Sequence, residues 1–355
     1  NTIRNSYSES SHSQGIYASH VSMLLEENIF DHNGWYKQQI DSGNEKDEGQ
    51  ANMFNHNTYI SDSFHSKFIR NIFLRSSSIQ NKWTANSESG SNVDSIKSHD
   101  LWMEDNVYVG GEIGISAGGN TDYDTGARWK DITIINNVML AIGRDQPTNR
   151  TLGWNIDATD WDGGLICGNY ILHTDNLEVS NLLGIRLNGH SNDVTIAENT
   201  IHGLIAPGPS SKTGAISINS EPKSNIHVSE NNIQLSGSNM RVVVSDQVDS
   251  IVFERNKYFT GLDSAEWFRS LGVNYDIDTW RPISGDTNST IGQDSFLEPK
   301  RTFETYLSSI GLNQSIDDFM EQAVNQSKDN WNPDFTAQAV LAYIREAYGN
   351  VKCSN

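Results

Sequence analysis

The sequence predicts an all-β solenoid: a parallel β-helix of about eight or more coils with a small helical segment at its C-terminal side. Three observations support it. First, a pattern of alternating apolar residues, an Asn and a second apolar pair recurs from "VSMLLEENIF", ending at Phe30, to "SIVFERNKY", ending at Tyr258. Its markers are Asn28, Asn71, Asn106, Asn137, Asn169, Asn199, Asn232 and Asn256, and steps of roughly 24 to 43 residues suit stacked repeats. Second, a shorter alternating strand precedes each marker, as in "GIYAS", "TYISD", "SIQNK", "NIDAT" and "GIRLN". Third, the period changes after residue 295.

Each repeat is too short to bury its own apolar face, so the next repeat must cover it. Two strands per repeat with Asn at a turn make one coil, and the Asn side chains of successive coils can then form an amide ladder. Among the repeats sit polar insertions without an apolar period, and 35–53, 83–95 and 118–130 are expected to be loops around a groove. Phe303, Tyr306, Leu307 and Ile310, and later Ala339, Val340, Tyr343 and Ile344, fall at helical spacing. Ser315 and Thr336 stand where helix N-caps belong. The expected division is therefore 1–295 for the β-helix and 296–355 for a helical cap or flank.

Acidic residues outnumber basic ones 45 to 25, a net charge of −20, which argues against nucleic acid and anionic membrane surfaces as partners. No apolar run is long enough for a membrane helix. The chain begins "NTIRNSYSES" without an initiator Met, so an upstream segment is expected to have been removed. Cys167 lies in an apolar run and Cys353 in the tail "VKCSN". A buried thiol and a frayed one are expected, with no bridge. The balance suits a secreted protein, extracellular or periplasmic, and a monomer.

"ENIFDHNGW", "FNHNTYIS", "RNIFLRSSSIQ" and "MEDNVYVGGEIGISAGG" resemble the bacterial right-handed parallel β-helix proteins of the pectate-lyase-like class, which degrade polysaccharides. The resemblance spans most of the repeat region. It implies a right-handed winding and chemistry on a sugar polymer, although the class holds lyases, hydrolases, epimerases and adhesins.

Side chains of a strand alternate between two faces. With Ile16, Ile60, Ile79, Ile115, Ile156, Ile185, Ile216 and Val242 facing inward, the outward column reads Tyr17, Tyr59, Gln80, Ser116, Asp157, Arg186, Ser217 and Val243. A neighbouring column carries Ser61, Lys82 and Asn188. His32, Arg75 and His56 stand beside these strands, with His32 and His56 at the two roots of the first insertion. Together they offer a locally cationic groove for an acidic polysaccharide.

The leading expectation is β-elimination on a uronate-containing glycan. It needs a base for the C5 proton, a cation to neutralise the neighbouring carboxylate, and an acid for the leaving oxygen. Lys82 or His56 would be the base, Arg75 and Arg186 the neutralisers, and Tyr59 or His32 the acid. Gln80, Asn188, Arg128, Trp129 and Lys130 would bind substrate. Ca²⁺ is the one candidate cofactor, with Asp122 and Asp124 on a Gly-rich loop as its candidate ligands. A glycoside hydrolase would instead pair two carboxylates among Asp157, Asp160, Asp162 and Glu112. A noncatalytic adhesive β-helix would stack sugars on Trp83, Trp129 and Trp161, and an epimerase would share the proton abstraction.

Overall fold

The computed structural model describes residues 1–6, 12–35, 51–84, 98–119, 129–208, 213–219 and 223–353. Among them the chain visits three sheets of ten, ten and eight strands in rotation, so that each sheet takes every third strand. Almost all neighbouring strands run parallel, as in Val107–Val109 beside Ile72–Leu74. This is the strand arrangement of a parallel β-helix. The first face holds the short strands that follow the Asn markers; the second holds "GIYAS" and its equivalents. A third face, not distinguished in the sequence, holds the strands that lead into each Asn, such as Trp129–Ile135 and Trp161–Cys167.

The interior is filled by residues in register. Phe30, Phe73 and Tyr108 stack ring on ring with centroids 4.8 Å apart at each step. Met139, Ile171, Ile201, Ile233 and Tyr258 continue that column. Trp83, Trp129 and Trp161 are also fully buried. They belong to the core, and the expectation that they stack sugars is corrected: a side chain of that size contributes more to stability in the interior between the sheets.

The Asn ladder forms. Asn28 Nδ2 donates to Asn71 Oδ1 at 3.0 Å, Asn71 to Asn106, Asn106 to Asn137, Asn137 to Asn169 and Asn169 to Asn199. The same oxygens accept a main-chain N–H from the preceding rung. One marker shifts by a residue. In "SENNI" the rung is Asn231, which receives Asn199 and donates to Asn256, while Asn232 opens the next strand. Two adjacent Asn make the rung ambiguous in sequence; only the inward one is fully buried. Ser289 ends the column by accepting the Asn256 N–H at 2.9 Å.

At the C-terminal end, helix α1 (Ile277–Ser284) closes the core. Trp280 stacks on Phe268 at 4.9 Å and meets Phe253 at 5.3 Å. Helices α2 (Phe303–Ser309), α3 (Ile316–Val324) and α4 (Ala337–Tyr348) lie instead along the outside of the first face. Phe303, Leu307, Met320, Val340 and Ile344 there pack against Ile72, Val107, Val138 and Leu172. Ser315 and Thr336 do cap their helices, accepting the N–H of Asp318 and Ala339. No helix among the described residues is long and apolar enough to cross a membrane.

Cys167 and Cys353 are bonded to each other across 186 residues of chain, which corrects the expectation of two free thiols. Cys167 sits on the outer side of the third face, and the tail returns there because Cys353 N–H reaches Asn136 Oδ1 at 2.9 Å. The bridge fastens the chain beyond the helical flank to the third sheet. Reduction, or Cys353→Ser, is expected to lower stability by about 2–4 kcal/mol, read as a shift in denaturant midpoint. An unchanged midpoint would mean that packing alone holds the flank.

Under α4, His173 Nε2 lies 2.9 Å from the Tyr348 hydroxyl and His202 meets Phe296 edge-on. Burial, aided by His173, lowers the His202 pKa to about 4. The unfolded chain therefore takes up a proton near pH 6.5 that the folded chain refuses. Stability from this group is complete above pH 6.5 and falls by about 1.4 kcal/mol per pH unit down toward pH 4. His202→Phe is expected to flatten that part of the stability profile between pH 6.5 and 4.5; an equally steep profile in the variant would contradict it.

Candidate functional site

The outward side of the second face carries one continuous row. Tyr17, Tyr59, Lys82, Ser116, Asp157, Arg186 and Ser217 occupy equivalent positions on successive coils. At about 4.8 Å per coil, Tyr59 to Arg186 spans about 19 Å. The register differs from the sequence expectation in the coil of Ile79–Thr84. Ile79 pairs with His56 and Ile113, outside the inward file. The inward position falls to polar Asn81, bonded to Thr58 and the Tyr108 hydroxyl. Lys82 consequently enters the row and Gln80 leaves it. At the far end Val243, not Val242, pairs with Ile216.

Along the row the polar groups are connected. Lys82 Nζ donates to Ser116 Oγ at 3.2 Å, Ser116 Oγ donates to Asp157 Oδ2 at 3.3 Å, and Arg186 Nε donates to Asp157 Oδ1 at 2.7 Å. Arg186 also lies over the Trp154 ring, 4.0 Å from its centroid, a contact that holds the guanidinium flat. Burial lowers the Lys82 pKa; Asp157 opposes that and Arg186 adds to it. Lys82 is thus more readily neutral than a surface lysine.

On the other side of Lys82 stands an aromatic step. Tyr17 and Tyr59 stack with centroids 5.6 Å apart, and His56 lies against Tyr59 at 5.5 Å. Tyr17 is 61% exposed, so the step offers an open ring face. Burial raises the Tyr59 pKa and keeps the phenol protonated. His56 is only 4% exposed, and burial beside Lys82 and Arg150 pushes its pKa well down. Its Nδ1 accepts the Ile79 N–H. His56 is a neutral wedge behind Tyr59.

Several expected residues stand elsewhere. Arg75 binds Asp31 through two bonds of 2.8 and 2.7 Å and Asp317 of α3 at 2.7 Å; it braces the helical flank. His32 stacks on Trp35 at 4.5 Å, and burial beside Arg75 lowers its pKa to about 4. Gln80 is wholly buried, bonded to Val109 O, Gly110 O and Asn57, so its expected contact with substrate is corrected. Trp129 is core, and Lys130 lies on the third face in register with His99 and Asp162. Neither faces the row. Asn188 does share the face, accepting from Asn219 Nδ2 at 3.0 Å. Asp122, Asp124 and Arg128 lie outside the described residues, as do 36–50, 85–95 and 120–128 of the expected loops.

The carboxylates of the hydrolase alternative do not converge. Asp160 sits in a corner at φ 62° and accepts the His190 N–H at 2.9 Å, while Asp162 is on the third face. Glu112 is fully buried, bonded to Thr148 N–H at 2.9 Å and to Arg150 Nε at 2.9 Å. Ser116 and Tyr17, placed in the outward column by sequence without a role, prove to be a link and an exposed ring; Trp154, the rest for Arg186, was missed. Trp154 precedes the inward Ile156 by two in "GWNIDA", a spacing that predicts an inward side chain, so regular alternation could not have found it under Arg186.

No family model, curated protein or solved structure matches the chain.

Proposed function

We propose that the protein is a polysaccharide lyase that cleaves a uronate-containing anionic glycan by β-elimination on the second face. The row from Tyr59 to Arg186, hydrogen-bonded from Lys82 through Ser116 and Asp157 to Arg186, carries this reading. Lys82 removes the C5 proton as a neutral amine, because its lowered pKa raises the fraction able to accept one. Arg186, held by Asp157 and Trp154, neutralises the substrate carboxylate and so acidifies that proton. Tyr59, kept protonated, returns a proton to the leaving oxygen. The Tyr17–Tyr59 step gives an adjoining sugar a ring to lie on.

The winding is taken as right-handed, the hand that parallel strand crossovers adopt almost without exception. The Cys167–Cys353 bridge supports an oxidising compartment, and so secretion to the cell exterior or periplasm. A bacterial exopolysaccharide of the biofilm-matrix kind is the proposed substrate class.

The test is the ultraviolet absorbance of the double bond that elimination creates, followed over a panel of acidic polysaccharides with and without chelator. A rise in absorbance on one glycan supports the proposal. New reducing ends without that absorbance, lost in Asp157→Asn, would replace it with hydrolysis. Silence in both assays with retained binding would leave a glycan-binding protein.

A further inference from the structure

We propose that His65, His99 and Asp100, on the outer side of the third face, form a binding site for a divalent transition-metal ion of the zinc kind. His65 Nδ1 and His99 Nδ1 approach the same oxygen, Asp100 Oδ2, at 3.0 and 2.8 Å. All three ligand atoms lie within 4.8 Å of one another. Ions of this class bind imidazole nitrogen and carboxylate oxygen at about 2.0–2.2 Å. Ligand atoms this close need only small movements to surround one.

The backbone places these groups deliberately close. Adjacent residues of a strand ordinarily point to opposite sides, so His99 and Asp100 should diverge. Asp100 has φ 54°, which breaks the alternation and brings its carboxylate beside the His99 ring. The next coils keep the same kink at Asp131, Gly163, Asp193 and Asn225. There the position equivalent to His99 holds Lys130, Asp162, Asn192 and Ser224. Only at the junction of 65 and 99–100 does the kink gather two imidazoles and a carboxylate among the described residues. The rings are also oriented: Phe64 pairs with His99 in the sheet and stacks on its ring at 5.7 Å, and His65 N–H donates to His99 O at 3.1 Å.

Two imidazoles exclude magnesium and calcium, which prefer all-oxygen shells, and fit zinc, nickel or cobalt. His65 and Asp100 are well exposed, at 61% and 45% of their side chains. The site is therefore open to solvent and completes its shell with water. Its ligands come from two successive coils, so a bound ion staples them together, independently of the glycan row on the second face.

The experiment is calorimetric titration of the tag-free chain with zinc chloride, with magnesium chloride as control. One saturable zinc per chain and no magnesium heat are expected. His65→Ala and His99→Ala should each weaken zinc at least tenfold, and His227→Ala, another imidazole of that face, should leave it unchanged. Absent zinc binding, or undiminished binding in the His65→Ala/His99→Ala double variant, would overturn the site. Should either variant fold poorly, cobalt(II) added to the unaltered chain should give a visible absorption that zinc removes; no such absorption would likewise overturn it.

Discussion

Lys82→Ala is expected to abolish β-elimination, lowering kcat by roughly 10²–10⁴-fold, the usual share of a general base, while leaving thermal stability nearly unchanged. Among the described residues, Lys82 Nζ donates one hydrogen bond, to Ser116. Asp157 keeps Arg186 as its ion-pair partner when the ammonium goes. Lys82→Arg is the sharper variant. It keeps the charge and hence substrate affinity, yet a guanidinium cannot lose its proton at accessible pH. Its KM should stay near the wild-type value while its kcat falls as far as that of the alanine variant. The wild-type rate should rise with pH along a limb that lies below the ordinary lysine range, because burial lowers this pKa. Wild-type turnover in Lys82→Ala would remove Lys82 from the chemistry.

The largest effect on folding should come from the interior of the ladder. Asn137→Ala removes an oxygen that accepts both the Asn106 Nδ2 and the Asn106 main-chain N–H at 3.0 Å. It also removes an Nδ2 that donates to Met103 O, Ile135 O and Asn169 Oδ1. The rung is fully buried, so water cannot replace these partners. Unmade bonds to buried groups cost about 1–3 kcal/mol each; with partial relaxation the expected loss is roughly 4 kcal/mol, checked by denaturant unfolding. Asn232→Ala, one residue away from the Asn231 rung, should cost far less. Equal costs at the two positions would mean that the ladder is not what holds the coils.

The repeat was legible because a rung needs one residue type at one place. An amide that both donates and accepts along the axis cannot be exchanged for an apolar side chain, so Asn marks each coil from Asn28 to Asn256. The row on the second face was only partly legible. Tyr59, Asp157 and Arg186 were placed correctly because an apolar residue marks the inward position beside each of them. Lys82 was misplaced because apolar Ile79 was taken as the inward residue of its strand, whereas the inward places fall to Asn81, a polar residue satisfied by Thr58 and Tyr108, and to Trp83. Trp129 looked available because it follows a Gly-rich stretch with cations on either side, yet burial depends on strand alternation and not on neighbours in sequence. The disulfide was hidden for a different reason. It depends on where α4 delivers the tail, a long-range fact that no local pattern contains.

The spacing between rungs varies from 25 residues, Asn231 to Asn256, to 43, Asn28 to Asn71. The amide separation nevertheless stays between 2.9 and 3.0 Å from Asn28 to Asn256. Coil length and coil position are therefore independent variables. The ladder acts as an index, and everything between two rungs is interchangeable cargo so long as the strands on the three faces return in phase. Lineages built on such a scaffold can lengthen, shorten or swap the segments between rungs without disturbing the row on the second face, which gives diversity a cheap route that leaves the scaffold untouched.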